Sequence, residues 1–449
     1  MDRGTRTRAS RIRSRLRNRK LGVWCVALLA SAFAISHARA IGIEDVVDGG
    51  NTYPWVKVEL PGTMCGDGSQ YRFWYYDNPS SNNLLISFEG GGACWDYDTC
   101  SGRAGVLGAA HPNGIPTDYI HEFEPTYVSP LVNGADPGIP PFRSKTNLAT
   151  NGFDMVYVPY CTGDVHVGNN VKTYTDPTGA NPPLTWRHNG YNNTVAILNF
   201  LHGRFPSVNK LLVTGFSAGG VASHATFYFA RRTINPTKAY MLNDSGPTFP
   251  APNSSYKSWQ LHQLIKTSWN LTSVYSQLPA PFNQNDLGTM TDMIAQQFPN
   301  DLLAYTGYSS DYNFSRFSYE RFYPGITKDT VLAYWRQDQA NFVNKMKGYA
   351  NFSYHIPWER PINDSHCSAI ITFIGSHACS SIRKKYWYEI PWPQSWKCTG
   401  TFRPMETFLA NWLGSNQQQR IVETENYYND EDPGMQIVAP LINDAIAGN

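Results

Sequence analysis

Apolar runs too short to cross a bilayer recur along the chain, and each ends in a turn rich in glycine or acid. Leu84–Phe88 runs into Glu89-Gly90-Gly91-Gly92, Phe153–Cys161 into the loop Thr162–Gly168, and Leu211-Leu212-Val213 into Gly215–Gly220. Lys238–Gly246 ends at Asp244, Asp301–Tyr308 runs on to Asp311, and Asn351–Pro357 precedes Asp364-Ser365-His366-Cys367. Runs of this length bounded by turn residues predict buried strands. Between them the spacing predicts helices over Thr194–Phe205, after Gly220 and over Leu332–Ala350. Residues 250–300, with Trp259, Trp269 and several prolines, read as a helical and loop-like insertion over the active site. Strands alternating with helices predict an α/β fold with a mostly parallel sheet flanked by helices.

The segment Lys210–Ala230 carries the strongest chemical signal. A short apolar strand leads into Gly215-Phe216-Ser217-Ala218-Gly219-Gly220 and then into a helical Ala/aromatic run. Strand, glycine-flanked serine and helix make the nucleophile-elbow pattern of α/β-hydrolases. The Ser backbone there adopts a sparsely populated conformation, and small neighbours let strand and helix pass closely. The turn lifts the hydroxyl above the sheet edge and aims the helix N-terminal amides at the same point.

Charge looks different once the N-terminus is set apart. Arg3–Lys20 is basic, Leu21–Ile35 is an apolar run, and Ala38-Arg39-Ala40 is a small-x-small cleavage site, the layout of a signal peptide over residues 1–40. The whole chain has 37 Lys and Arg against 35 Asp and Glu; ten basic residues and one acidic residue lie in 1–40, which leaves 27 against 34, a net of −7. The remainder is acidic, which argues against nucleic acid as a partner. It has no repeat, charge block or linker that would divide it, so 41–449 reads as a single catalytic domain, secreted or periplasmic, with no stable membrane partner.

Cys65, Cys94, Cys100, Cys161, Cys367, Cys379 and Cys398 remain after cleavage. In an exported chain they pair, and an odd number leaves at least one unpaired. No Cys/His spacing suits a metal, and neither metal nor cofactor is expected. The triplet Gly90-Gly91-Gly92 leaves amides unshielded after an early strand, as an oxyanion hole requires, so Gly91, Gly92 and Ala218 are the candidate donors. Asp164 and His166, in the loop after the next strand, are candidate substrate contacts.

A serine nucleophile needs a histidine base oriented by a carboxylate. His366 is the best-placed base, following what reads as the last strand; His377, His355 and His224 compete, the last with a core role on the elbow helix. Asp311 and Asp244 both follow strands, and the pattern alone does not choose between them.

Several stretches together resemble the pectin acetylesterase family. They are Cys65-Gly66-Asp67-Gly68-Ser69, Phe88–Cys94, Val156–Cys161 with Asp164, Gly215–Gly220 and Asp244-Ser245-Gly246, in the family's order from 65 to 246; the C-terminal third matches only locally. The resemblance implies an α/β-hydrolase with a Ser-Asp-His triad. Ser217 falls on the family serine, Tyr308–Asp311 resembles the turn bearing the family acid, with Ser315 where that turn has a Gln, and Ser365-His366-Cys367 is similar to the histidine turn. The Asp-Ser-Gly element is not the family's acid, which favours Asp311 over Asp244. The resemblance also implies the pairs Cys65–Cys161 and Cys94–Cys100. At Gly92-Ala93 the chain departs from the family, which often has a Trp there. The expected activity is that of a serine carboxylesterase removing acetyl groups from a polysaccharide such as pectin. A deacylase or polyester depolymerase for longer chains, and a non-catalytic carbohydrate-binding member of the fold, are the rivals.

Overall fold

The computed structural model describes residues 46–48, 51–53, 55–122, 129–136, 145–384, 396–423, 439–440 and 442–444. The expected signal peptide lies outside the described residues. The described residues fall into two units, divided after Trp55. In the first, Val46–Asp48 and Asn51–Tyr53 pair antiparallel.

The second unit is built on a nine-stranded sheet. Its strands are β1 (Val56–Val58), β2 (Phe73–Tyr76), β3 (Asn83–Phe88), β4 (Asp154–Val158) and β5 (Lys210–Phe216). They continue with β6 (Lys238–Asp244), β7 (Leu302–Thr306), β8 (Phe352–Ile356) and β9 (Arg420–Val422). The spatial order is β1-β2-β4-β3-β5-β6-β7-β8-β9. Only the β1–β2 and β2–β4 pairings are antiparallel. From β4 onward the strands run parallel. This is the α/β-hydrolase sheet.

The central strands are apolar on both faces because both faces are covered: Leu84, Leu85, Ile86, Leu211, Leu212, Val213, Met241 and Leu242 are fully buried. The principal helices are α1 (Gly190–Arg204), α2 (Ala218–Ile234), α3 (Trp259–Ser268), α4 (Tyr312–Tyr319) and α5 (Lys328–Lys347). The chain passes from β3 to β4 on one side and then to β5 on the other. That reversal opens a crevice beyond the strand C-termini, where ligands bind in open α/β sheets.

One expectation is corrected here. His366 follows β8, but β8 is not the last strand, because β9 adds a further edge. β9 is three residues long with one fully inward residue, Ile421, so no apolar run announces it. The residue after it, Glu423, ties this edge down. Its N–H donates to Ile356 O at 2.8 Å, its Oε2 accepts from Trp358 N at 2.9 Å, and its carbonyl accepts from Ser309 Oγ at 3.0 Å.

Burial raises the Glu423 carboxyl to about 7. The folded state therefore holds this proton at pH values where the unfolded chain has lost it, so stability falls as pH rises through that interval. Between pH 5 and 8 the wild type should lose about 2.5 kcal/mol that Glu423→Gln does not lose. The Tm difference, variant minus wild type, is expected to grow with pH; a difference constant from pH 5 to 8 would contradict the assignment.

Candidate active site

Ser217 stands between β5 and α2 with φ 57° and ψ −122°. Such a conformation costs on the order of 1–3 kcal/mol and persists only where its surroundings enforce it. They do so here. Ser217 N–H donates to Asp244 O at 2.9 Å. A Cβ on Gly219 would lie 1.9 Å from Phe88 O, and one on Gly246 would lie 2.4 Å from Ser217 O. The glycines are thus fixed by the closeness of β3, α2 and the end of β6. Ser217 Oγ has no hydrogen-bond partner among the described residues, and in unliganded enzymes such contacts are commonly long until substrate binds.

Asp311 caps α4. Its Oδ1 accepts from Phe314 N at 2.9 Å, which locks the carboxylate plane, and its Oδ2 lies 2.8 Å from His366 Nδ1. Both residues are buried. Burial raises the Asp311 carboxyl above its ordinary value, and His366 acts against that rise. The Phe314 ring is 6.1 Å from the His366 ring and also lines the cavity that Ser217 faces. His355 and His224 are elsewhere: His355 Nε2 meets Arg403 O at 2.9 Å, and His224 Nε2 meets Thr291 Oγ1 at 3.2 Å. His377 lies in a short strand paired with Phe402–Pro404.

The Asp244 carboxylate is spent on backbone. Oδ1 accepts from Ser368 N and Ser368 Oγ, each at 2.8 Å, and Oδ2 accepts from Ala369 N at 2.8 Å. Next to it, Ser245 Oγ accepts from Cys367 N at 3.0 Å. The Asp-Ser-Gly element therefore latches the His366 loop to the serine turn. That loop holds Asn363, Asp364, Ser365 and Cys367 at positive φ. The buried Arg360 guanidinium braces it, donating to Thr372 O at 2.9 Å and to Cys367 O.

Two of the three oxyanion candidates share the serine's cavity. Gly92 and Ala218 line the same cavity as Ser217, and Gly91 and Gly92 take φ of +128° and +63°. The N–H groups of Gly91, Gly92 and Ala218 meet no acceptor among the described residues. Preorganised, unspent amides beside a nucleophile are what charge development on a carbonyl oxygen requires.

Asp164 and His166 take a different position from the substrate-facing one expected. Asp164 Oδ1 accepts from His166 N at 3.1 Å and Oδ2 from Gly190 N at 2.8 Å, so the carboxylate pins its own loop to α1. Burial raises it to about 6. His166 Nε2 meets Glu89 O at 2.9 Å and its ring stacks on Tyr160 at 4.6 Å; burial lowers it to about 4. The residue between them, Val165, lines the cavity. The pair braces the backbone that carries the glycine triplet.

Much of the remaining cavity wall comes from Trp95, Leu261, His262, Ile265, Phe314 and Phe317, none of which the sequence names individually. Trp269, at the C-terminal cap of α3, lines it too, as do Ala93, Val221, Pro247 and Thr248. The region read as an insertion over the active site thus supplies Leu261, His262, Ile265 and Trp269 to the lining. The sequence places that region over the site but does not say which of its residues face the cavity, because apolar positions on a short helix read alike in a core and in a pocket wall.

Three disulfides form, Cys65–Cys161, Cys94–Cys100 and Cys379–Cys398, and Cys367 is free and buried. Cys94, Cys100 and His188 are the one close group of potential metal donors among the described residues. Their sulfurs are bonded to each other, so the group offers no thiolate.

No known family model matches the chain, and no curated protein is similar to it. Among solved structures it is similar to the Wnt deacylase Notum from Drosophila, with 15% identity and a TM-score of 0.40 over 66% of this chain and 83% of that one.

Proposed function

We propose that the chain is a secreted or periplasmic serine carboxylesterase in which Ser217 is the nucleophile, His366 the base and Asp311 the residue that orients it. The observation that carries this reading is the 2.8 Å contact between Asp311 Oδ2 and His366 Nδ1, made in the loops beyond the same sheet end as the strained Ser217. Asp311 holds the proton of His366 on Nδ1 and leaves Nε2 free to accept one. Ser217 Oγ attacks the ester carbonyl carbon as His366 Nε2 takes its proton. The carbonyl oxygen becomes an anion facing the amides of Gly91, Gly92 and Ala218. The C–O bond to the alcohol breaks and His366 returns the proton to the departing oxygen. Water, deprotonated by His366, then cleaves the acyl-enzyme and regenerates Ser217. Loss of one oxyanion donor in such a site costs about 100–1,000-fold in turnover.

The motif resemblance supports an acetylated polysaccharide as substrate. The cavity favours the second reading, a deacylase for longer acyl groups, because Trp95, Leu261, Ile265, Trp269, Phe314 and Phe317 offer far more apolar wall than an acetyl group covers. Each methylene that finds such a wall contributes up to about 0.8 kcal/mol, roughly fourfold in kcat/KM. Two measurements test the reading. A fluorophosphonate should label the purified protein at Ser217, found by peptide mapping; an unlabelled Ser217 would indicate a binding protein. Rates should rise from acetyl to hexanoyl nitrophenyl esters, and a maximum at acetyl would favour the polysaccharide deacetylase.

A further inference from the structure

The cavity wall holds one residue that an apolar acyl pocket does not need. His262 sits on α3 between Leu261 and Ile265 and lines the cavity with them, yet it is only 4% exposed. Its Nδ1 is sealed from water and has no partner. Its Nε2 also has no hydrogen bond among the described residues but is not sealed, so Nε2 is the nitrogen that meets the cavity. Trp269, in the same wall, differs: its Nε1 is satisfied by Cys94 O at 2.7 Å.

A buried N–H left without an acceptor is rarer in proteins than an unused lone pair. The imidazole is therefore arranged with its lone pair on the sealed Nδ1 and its proton on Nε2, aimed into the cavity as a donor. Burial lowers this histidine to about 4, so at neutral pH it is uncharged. With plain alkyl in the cavity, that N–H would be desolvated and unpaired, which offsets part of the gain from the apolar wall. With an oxygen of the acyl chain against it, the same group contributes a buried hydrogen bond.

Resting on the esterase reading above, we propose that His262 sets acyl specificity, selecting esters whose acyl chain bears an oxygen function, a hydroxyl or carbonyl, that accepts a hydrogen bond from its Nε2–H. The substrate class is thereby narrowed from long-chain esters to hydroxyacyl or oxoacyl esters, which include the repeating unit of hydroxyacid polyesters.

The experiment uses the full chain and reads hydrolysis by pH-stat, because hydroxyacyl esters are measured without a chromophore. The panel is ethyl butanoate with ethyl 3-hydroxybutanoate, and ethyl hexanoate with its 3-hydroxy, 6-hydroxy and 5-oxo derivatives. Wild type is expected to favour at least one oxygenated ester over its plain partner by about 10–100-fold in kcat/KM. His262→Leu should abolish that preference, lowering the rate on the oxygenated ester while maintaining or raising the rate on the plain one. His262→Gln, which restores a donor, should recover part of the preference and controls for a folding defect in the leucine variant, together with Tm. Equal rates of wild type on all plain and oxygenated partners would overturn this inference and leave the esterase intact, as would an undiminished preference in folded His262→Leu. Hydrolysis of no ester, together with no fluorophosphonate labelling, would sink the esterase reading and this inference with it.

Discussion

Ser217→Ala is expected to abolish ester hydrolysis, with kcat falling about a million-fold as when the nucleophile of a serine protease is removed. Stability should stay within about 0.5 kcal/mol of wild type, because the deletion touches nothing that holds the turn. Ser217 Oγ makes no hydrogen bond among the described residues, and the bond that fixes the turn, from Ser217 N–H to Asp244 O, is a backbone bond. Alanine keeps the Cβ that packs against Gly90 and accepts the same strained φ at similar cost. Gly219→Ala is the counterpart. Its new Cβ would stand 1.9 Å from Phe88 O, so β3 and α2 must separate, and activity and stability should fall together. Measuring kcat and Tm for both variants separates chemistry from scaffold. Residual activity of Ser217→Ala within tenfold of wild type would rule out the nucleophile assignment.

How far the sequence reveals such a site depends on the physics of each part. β3 to β8 are legible because strands covered on both faces are nearly continuous apolar runs. The elbow is legible because its steric demands are met by glycine alone at positions such as Gly219. β1 and β9 are not, since a three-residue edge strand needs no apolar run, and Val56 is even exposed. The use made of Asp244 is also hidden. A carboxylate after a strand reads alike whether it faces an imidazole or three loop donors, and only the fold shows that residues more than 120 positions away supply those donors. Asp164 and His166 sit where ligand-binding loops belong, but their side chains turn inward to hold that loop. His262 is the extreme case: one polar residue on the apolar face of an ordinary helix, with nothing in the sequence to say that the face borders a cavity.

The two acids give the sharpest remaining test, because both are buried near the same histidine loop and an amide affects them differently. In Asp311→Asn the oxygen can stay on Phe314 N, keeping the helix cap. The amide nitrogen then faces His366 Nδ1 and forces that atom to accept, so the ring proton moves to Nε2, where Ser217 needs an acceptor. The expected loss is about 10,000-fold in kcat, the size of effect seen when the triad aspartate of a serine protease is changed to its amide. The change in Tm should be small. In Asp244→Asn both carboxylate oxygens already accept, from Ser368 N and Oγ on one side and Ala369 N on the other. One of them becomes an N–H pair pointing at another donor, so at least one charge-assisted bond is lost and a buried donor is stranded, at a cost of about 2–4 kcal/mol. This variant should lose stability at least as much as activity, and its activity should recover partly at lower temperature as the loop re-forms. An Asp244→Asn protein with wild-type Tm and no activity, beside an Asp311→Asn protein with near-normal turnover, would exchange the two roles: His366 would then have to leave its 2.8 Å contact with Asp311 and take its orientation from Asp244 when substrate binds.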